Sequence, residues 1–333
     1  MSTVRTVDVH AHILAEDTMA LWRKEVPRVA PKLTPIDADN AVFELAGVPY
    51  RPFPKGGWDL ETRLADMDAA EVDMQVLSNT PQTFLYDQDA GLTATTAALQ
   101  NDQIARLVKA RPDRFRGMAT LPMQDPQRAI AELARAVREL GLVGAQIGSH
   151  IEGRNLDDPV LAPFWDAVAE LDAFIMIHPT KPAGGARTHA YYLANLVGNP
   201  LETTIAAASL VFGGVMEKHP KLKILLVHGG GYVPYQYGRW SHGYTVRDEP
   251  KRFLHVDPEV SVRRFFYDTI THGKPALDYL VALMGASRIV LGSDYPYDMG
   301  NWELVREARA LAIADVDKDR ILGGNAAALF GIT

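Results

Sequence analysis

Short apolar runs alternate with longer amphipathic ones along almost the whole chain. Runs rich in Val, Ile, Phe and Thr, each closed by a polar or turn residue, fall at 4–13, 74–80, 116–122, 143–148, 174–178, 224–228, 265–271 and 289–294. They are continuously apolar, the pattern of strands covered on both faces in a parallel sheet. Between most of them lie segments of helical period, at 60–70, 93–110, 126–140, 161–171, 202–218, 275–284 and 302–313. In one of these, Ile130, Leu133, Ala134 and Val137 form a single apolar stripe that stops at Gly141. Alternating strand and helix require crossover connections, and eight repeats predict an α/β fold closed as a (β/α)8 TIM barrel rather than an open sheet. Segment 317–330 reads as a C-terminal helix that closes the fold. One interruption breaks the rhythm: 14–57 contains Pro27, Pro31, Pro35, Pro49, Pro52 and Pro54 and has little helical period beyond its first turns. It leaves from the C-terminal end of the first strand, the catalytic face of a barrel, so it is expected to be an insertion lying as a lid over the active site. No repeat or linker divides the rest, and 1–333 reads as one domain.

Composition narrows the partners more than the fold. The chain has 333 residues, 47% hydrophobic and 23% charged, which suits one decorated barrel with a large core. Its formal net charge of −7 offers no broad basic face for nucleic acid or anionic lipid. The chain contains no run of about 18 apolar residues and its first residues carry no apolar leader, so no membrane association and a cytoplasmic location are expected. There is no cysteine. Disulfides, thiolate zinc sites, iron–sulfur clusters and a Cys nucleophile are thereby excluded, and any metal must be held by His, Asp, Glu or Lys.

Those residue types collect at strand ends. In Asp8-Val9-His10-Ala11-His12, closing the first strand, residues two apart project to the same side, so His10 and His12 can direct both imidazoles at one point. Two unrelated histidines on one strand face are the alternative. His178 and His228 each end an apolar run followed by breakers, and Asp294 occupies the same relative position on the eighth strand. For Asp294 alone, helix N-capping is an equal reading. Taken together, His10, His12, His178 and Asp294 describe a His3Asp shell at a barrel mouth with room for a water, which suits one Zn²⁺, with Mn²⁺ or another divalent ion as alternatives.

This set of strand-end residues resembles the amidohydrolase superfamily, and within it the aminocarboxymuconate-semialdehyde decarboxylase family. The resemblance extends over essentially the whole chain through Trp58-Asp59, Met67-Asp68, Thr120-Leu121-Pro122-Met123-Gln124, Gln146-Ile147-Gly148, Pro200-Leu201-Glu202-Thr203-Thr204, His228-Gly229-Gly230-Gly231, Gly238-Arg239, Gly292-Ser293-Asp294-Tyr295-Pro296 and Gly324-Asn325-Ala326. It implies non-oxidative decarboxylation of a small unsaturated or aromatic carboxylate, either aminocarboxymuconate-semialdehyde-like or a hydroxybenzoate such as γ-resorcylate or 5-carboxyvanillate. It also implies a catalytic role for His228 and substrate-binding roles for Arg51 and Arg239; the proton that replaces CO₂ is expected from either Asp294 or His228, both catalytic candidates. Arg239 is expected to reach the active site of a neighbouring subunit, which makes a homodimer the catalytic unit. Binuclear relatives bridge two metals from the fourth strand with a carboxylated Lys or a Glu, whereas this chain has Gln146-Ile147-Gly148-Ser149 there, so a single metal ion per subunit is inferred.

The pattern is also broken in places. After the His-Pro that matches His178-Pro179 the aminocarboxymuconate-semialdehyde decarboxylases carry Trp-Asp, and this chain has Thr180-Lys181. Lys181 is therefore a further substrate-binding candidate, favouring a more anionic or differently shaped substrate. Trp58, Phe84 and Tyr86 are candidates for walling a planar substrate, with core packing the plainer reading for each. His150, His189, His219, His242 and His255 lack ligand spacing, and His272 is equally a mouth or a structural residue. Two other functions stay open: a mononuclear zinc hydrolase or hydratase acting on a lactone, ester or enol acid, and, more remotely, a non-enzymatic metal-binding protein.

Overall fold

The computed structural model describes residues 5–332, so Val4, where the first predicted strand begins, lies outside the described residues. In chain order the strands are β1 (Val7–Ile13), β2 (Lys32–Pro35), β3 (Asn40–Leu45), β4 (Val48–Pro54), β5 (Met74–Asn79), β6 (Phe115–Gly117), β7 (Gly144–Gly148), β8 (Phe174–His178), β9 (Lys223–Leu226), β10 (Phe266–Asp268) and β11 (Ile289–Val290). Two parallel arrays, β1-β5-β6 and β7-β8-β9-β10-β11, account for all but the insertion strands. Shorter contacts join their edges. After β6, Ala119 donates its N–H to the Gly144 carbonyl and accepts from Gln146 N–H, both at 2.8 Å, which joins it to β7, and Val9 and His12 of β1 donate to the Leu291 and Tyr295 carbonyls after β11 at 2.8 and 2.6 Å. The order thus returns to its start, and the eight strands form the predicted closed barrel.

Apolar side chains fill both sides of the wall. Val7, Val9, Met74, Val76, Phe174, Met176, Leu225 and Val290 pack inside the barrel, and the helices cover its outer face. At its base Phe330, in the terminal helix Asn325–Phe330, sets its ring edge-on to Phe174 at 5.0 Å. The segment expected as one helix over 202–218 is two, Asn199–Phe212 and Val215–Lys218, split where Gly214 takes φ +75°. Helix Val233–Val246 was not legible as one, because after the buried Val233 and Pro234 its core-facing residues are the half-buried Tyr237, Trp240 and Tyr244 rather than aliphatics. Among the described residues no helix is long and apolar enough to cross a membrane.

The insertion is more ordered than its prolines suggested. It holds helix Glu16–Glu25 and an antiparallel sheet in the order β2-β3-β4. Pro35 ends β2, while Pro49, Pro52 and Pro54 lie in β4. Both are edge strands, where a missing N–H costs the ladder least. Ala41, Phe43 and Leu45 alternate inward from β3, and Phe43 and Leu45 pack with Trp22, Met19 and Phe53 against Leu85 and Tyr297 at the barrel mouth. This satellite core fixes the insertion to the C-terminal face of the barrel.

Candidate metal centre and active site

His10 and His12 lie inside the barrel mouth, fully buried, where a shift in the β1–β5 register between Asp8 and Ala11 lets both rings face inward. His178 ends β8, and Asp294 follows β11 with φ +58°. The His12 Nε2 lies 3.0 Å from the His10 Nε2 and 3.1 Å from the Asp294 Oδ1. Asp294 Oδ1 lies 3.3 Å from His10 Nε2 and 3.9 Å from His178 Nε2. Among the described residues these four form the one cluster able to hold a metal ion, with all ligand atoms within 4.8 Å of one another.

Each imidazole is oriented from behind. His10 Nδ1 donates to Asp268 Oδ2 at 2.8 Å, His12 Nδ1 to the Asn79 carbonyl at 3.0 Å, and His178 Nδ1 to the Pro179 carbonyl at 2.9 Å. With every Nδ1 committed as a donor, the three Nε2 atoms present lone pairs, and those of His10 and His12 face each other at contact distance. Lone pairs so placed need a cation between them. Tetrahedral Zn–N bonds of about 2.0–2.1 Å would set neighbouring ligand atoms about 3.3 Å apart, close to the 3.0–3.3 Å spacings among His10, His12 and Asp294, with His178 farther out at 3.9 Å from Asp294. His178 Nε2 is buried and has no protein hydrogen-bond partner, as a ligand atom should. The donor set therefore fits one divalent cation.

The charges agree with this. Burial lowers the basicity of all three imidazoles, taking His178 down to about 3 and His12 below its usual value. In His10 burial is outweighed by Asp294 and Asp268, which push it up to about 10. Burial disfavours the Asp294 anion too, but the neighbouring His10 and the close approach of the imidazoles hold that carboxyl well below its normal range. In the protein without metal, a proton on His10 supplies the positive charge the cluster requires.

The surrounding network contains residues that the sequence did not single out. Asp268, at the end of β10, accepts not only from His10 but from the N–H groups of His228 at 2.9 Å, Gly229 at 2.7 Å and Ile270 at 3.2 Å. These bonds hold His228 at φ +56° and Gly229 at φ +61°. Asp8 accepts from Ser293 N–H at 3.0 Å, Ser293 Oγ at 2.6 Å and Gln75 Nε2 at 2.9 Å, tying β1 to the segment that carries Asp294. Burial raises its carboxyl to about 6 against those bonds. Arg63 is fully buried. It donates to the Gly56 carbonyl at 3.1 Å, to Gln75 Oε1 at 2.8 Å and to the His12 carbonyl, and its guanidinium lies 4.5 Å from the Tyr295 ring centre. Asp268 shares the strand-end position of the histidines, and that signal could have found it. Arg63 lies in an ordinary helical stretch and gave none.

A cavity of about 530 Å³ opens above His178, His228 and Asp294. His228 Nε2 lies 3.4 Å from Asp294 Oδ2. Phe84 and Tyr86, stacked at 5.2 Å and 9°, form part of one wall, and Tyr50 and Tyr297 contribute to another. Lys181 is also in the wall, paired with Glu152. Three candidates lie elsewhere. Arg51 is exposed on β4, Arg239 is exposed on helix Val233–Val246, and Trp58 stacks on Phe53 at 5.6 Å outside the wall. Asp294 caps no helix, the next one starting at Leu304. Gln146 is buried in β7 and leaves the fourth strand without a carboxylate or lysine.

A closed parallel barrel with three imidazoles and a carboxylate converging at its mouth defines a metal-dependent (β/α)8 enzyme. Residues 7–332 match the amidohydrolase family, and the chain belongs to it. It is 36% identical over 330 residues to the 2-amino-3-carboxymuconate-6-semialdehyde decarboxylase of Dictyostelium discoideum, covering 98% of this chain and 91% of that one. A 2-keto-4-carboxy-3-hexenedioate hydratase of a Sphingobium strain is 30% identical over 320 residues, covering 88% and 90%. The structure of a dihydroxybenzoic acid decarboxylase from Polaromonas sp. JS666, with bound manganese and the inhibitor 2-nitroresorcinol, superposes with a TM-score of 0.81 at 27% identity, covering 98% and 97%. The decarboxylases among these relatives are carboxy-lyases, and the chain is an enzyme of that kind.

Proposed function

We propose that the protein removes CO₂, without an oxidant, from a small planar carboxylate, aromatic or unsaturated, using one divalent cation held by His10, His12, His178 and Asp294. Zinc is proposed, with manganese as the alternative that the Polaromonas structure supports. The observation that carries the reading is the convergence of three Nδ1-anchored imidazoles on Asp294 at the floor of the cavity, with His228 beside that carboxylate but outside the ligand set. When bound, the cation supplies Lewis-acid polarisation of substrate oxygens. Phe84, Tyr86 and Tyr297 offer flat faces for a planar substrate. Loss of CO₂ leaves the bonding pair on carbon, which must receive a proton. His228 and Asp294 are within 3.4 Å of each other at the cavity floor, so either can hold that proton and the other receive its replacement. Segment 14–57 acts as the cover of this site, a reading supported by Leu45, Val48 and Tyr50 in the cavity wall. A homodimer that presents Arg239, with Arg51 and Lys181 as anion contacts, completes the proposal. Exposed Tyr235 and Arg239, one turn apart, support that face as a contact surface.

The test is CO₂ release by metal-loaded protein from aminocarboxymuconate semialdehyde, 2,6-dihydroxybenzoate and 5-carboxyvanillate. His228→Ala should lower kcat by about 10²–10⁴ while metal content is retained. No CO₂ from any of the three overturns the reading. The hydratase relative favours a second one, water addition to an enol or keto acid by the same cluster. Hydration without CO₂ release would establish it.

A further inference from the structure

The hydrogen bonds around Gln82 fix which end of its amide faces the cavity. Gln82 lies in the short helical turn Pro81–Thr83 after β5, half-buried in the cavity wall. Thr83 Oγ1 donates back to the Thr80 carbonyl at 2.7 Å and steadies that turn. Behind the Gln82 side chain stand two buried hydroxyls, those of Thr80 and Tyr297, in contact with each other. Gln82 Oε1 accepts from Thr80 Oγ1 at 2.6 Å and from Tyr297 Oη at 2.7 Å. Among the described residues neither hydroxyl oxygen has another partner. Burial pushes the Tyr297 phenol above its ordinary value, so it retains the proton it donates.

Counting protons decides the orientation. The two hydroxyls bring two O–H protons to one buried spot. With the Gln82 carbonyl inward, Oε1 has lone pairs for both. With the amide reversed, its N–H groups would donate to the hydroxyl oxygens, one hydroxyl would donate to the other, and the second proton would have no acceptor. The inward carbonyl leaves Nε2 on the cavity side, where it meets no protein acceptor among the described residues. The Tyr297 ring lies 5.4 Å from the ring of His12, so Tyr297 spans from the metal cluster to Gln82.

We propose that Gln82 Nε2 is a specificity-determining donor that binds a hydroxyl or carbonyl oxygen on the edge of a planar carboxylate, so that the site selects ring-oxygenated acids over the same acids with hydrogen at that position. This rests on the decarboxylase reading and narrows its substrate. A neutral donor makes this choice whichever cations, of this chain or of a second copy, hold the carboxylate. Because Gln82 is half-buried, water replaces the missing oxygen in the poorer ligand. One hydrogen bond is then worth about three- to tenfold, far less than in an enclosed site.

The experiment titrates the metal-loaded protein by calorimetry with benzoate, the three monohydroxybenzoates and 3- and 4-formylbenzoate, all monoanions, and follows CO₂ release in the same samples. One ring hydroxyl and one formyl group should each tighten binding about three- to tenfold over benzoate. Gln82→Leu should remove both gains. Gln82→Glu keeps an acceptor for Thr80 and Tyr297 but has no N–H to offer, and should remove the formyl gain too. Comparing substituted with unsubstituted acid within each protein cancels the carboxylate contacts and any general loss of binding. About 0.5 M salt should leave the gains unchanged, since the ligands carry equal charge. No gain that depends on Gln82, a gain that fades in salt, or no binding of any acid overturns the proposal. So does a hydroxyl gain without a formyl gain, which would put Oε1 rather than Nε2 in the cavity. Gains that depend on Gln82 without CO₂ release would uphold the donor and remove the decarboxylase reading. CO₂ release with gains independent of Gln82 would do the opposite.

Discussion

Replacing Asp268 by Asn tests whether the cluster is organised from behind. The two Asp268 oxygens each accept two hydrogen bonds: Oδ2 from His10 Nδ1 and His228 N–H, Oδ1 from Gly229 N–H and Ile270 N–H. An amide of the same shape keeps one oxygen and turns the other into a donor. Whichever way it rotates, two donors in a fully buried site lose their acceptor, at about 1–3 kcal/mol each, or about 2–6 kcal/mol in total. If the NH₂ faces Gly229 and Ile270, the loss falls on the left-handed turn that carries His228. If it faces His10, the ring must present Nδ1 as an acceptor, which moves its N–H to Nε2 and removes the lone pair meant for the metal. In that orientation metal affinity falls by about 10–100-fold, the equivalent of about 1.4–2.7 kcal/mol. Competition against a chromophoric chelator measures the affinity, and thermal unfolding of the metal-free variant measures the structural share. Asp268→Asn with unchanged metal affinity and unchanged stability would refute the account of how His10 is oriented.

Three further outcomes follow from the same contacts. In the metal-free fold His10 is raised to about 10, so the stability its proton contributes is complete below about pH 6.5 and is lost only as pH rises through that higher value. Metal must displace this proton, so apparent affinity should rise about tenfold per pH unit from about pH 7 to 9, with close to one proton released per ion. Calorimetry in buffers of different ionisation enthalpy reads that number directly, and zero would contradict it. Gly292→Ala would place a Cβ 2.8 Å from the Asp268 Cβ and 3.0 Å from the His10 Cβ, so the variant should fold with impaired metal retention, measured as metal per subunit after dialysis. Phe53→Ala removes a fully buried ring from the insertion core and should cost about 3–5 kcal/mol there. Hydrogen exchange should rise over 14–57 and not in the barrel strands, and uniform exchange across both would show that the insertion is not a separate core.

How much of this was legible depended on whether the signal was local. The eight strands could be read because each is a short apolar run, even where only two residues, Ile289 and Val290, form the regular ladder. His10, His12, His178 and Asp294 could be read because a polar residue at the end of such a run has one place to go. The insertion sheet could not, since Pro49, Pro52 and Pro54 hide the alternation of an edge strand whose partner, β3, reads plainly only once the pairing is known. Arg63 shows the other limit. Its contacts are the carbonyls of Gly56 and His12 and the side chain of Gln75, none of which any pattern around residue 63 contains. Arg239 and Arg51 were expected near substrate, and within a single chain they lie outside the cavity wall.

That division has a physical basis, and it decides what family membership can reveal. The ligand set lies on strand ends joined across the barrel by Asp8, Asp268 and Arg63, so moving any one member breaks bonds to several strands at once. The cavity wall is built differently. Tyr50 comes from the insertion, Phe84 and Tyr86 from the segment after β5, Lys181 and Tyr192 from the segment after β8, and Asp298 from that after β11. Each can change with little consequence for the metal cluster, as Thr180-Lys181 does in replacing the aromatic–acid pair of the decarboxylases it resembles. Chemistry is therefore inherited with the barrel, while substrate choice is set loop by loop. For this chain the loops set the aromatic faces of Phe84, Tyr86 and Tyr297 around the mouth, so it is the wall that carries the information about substrate that the ligand set cannot.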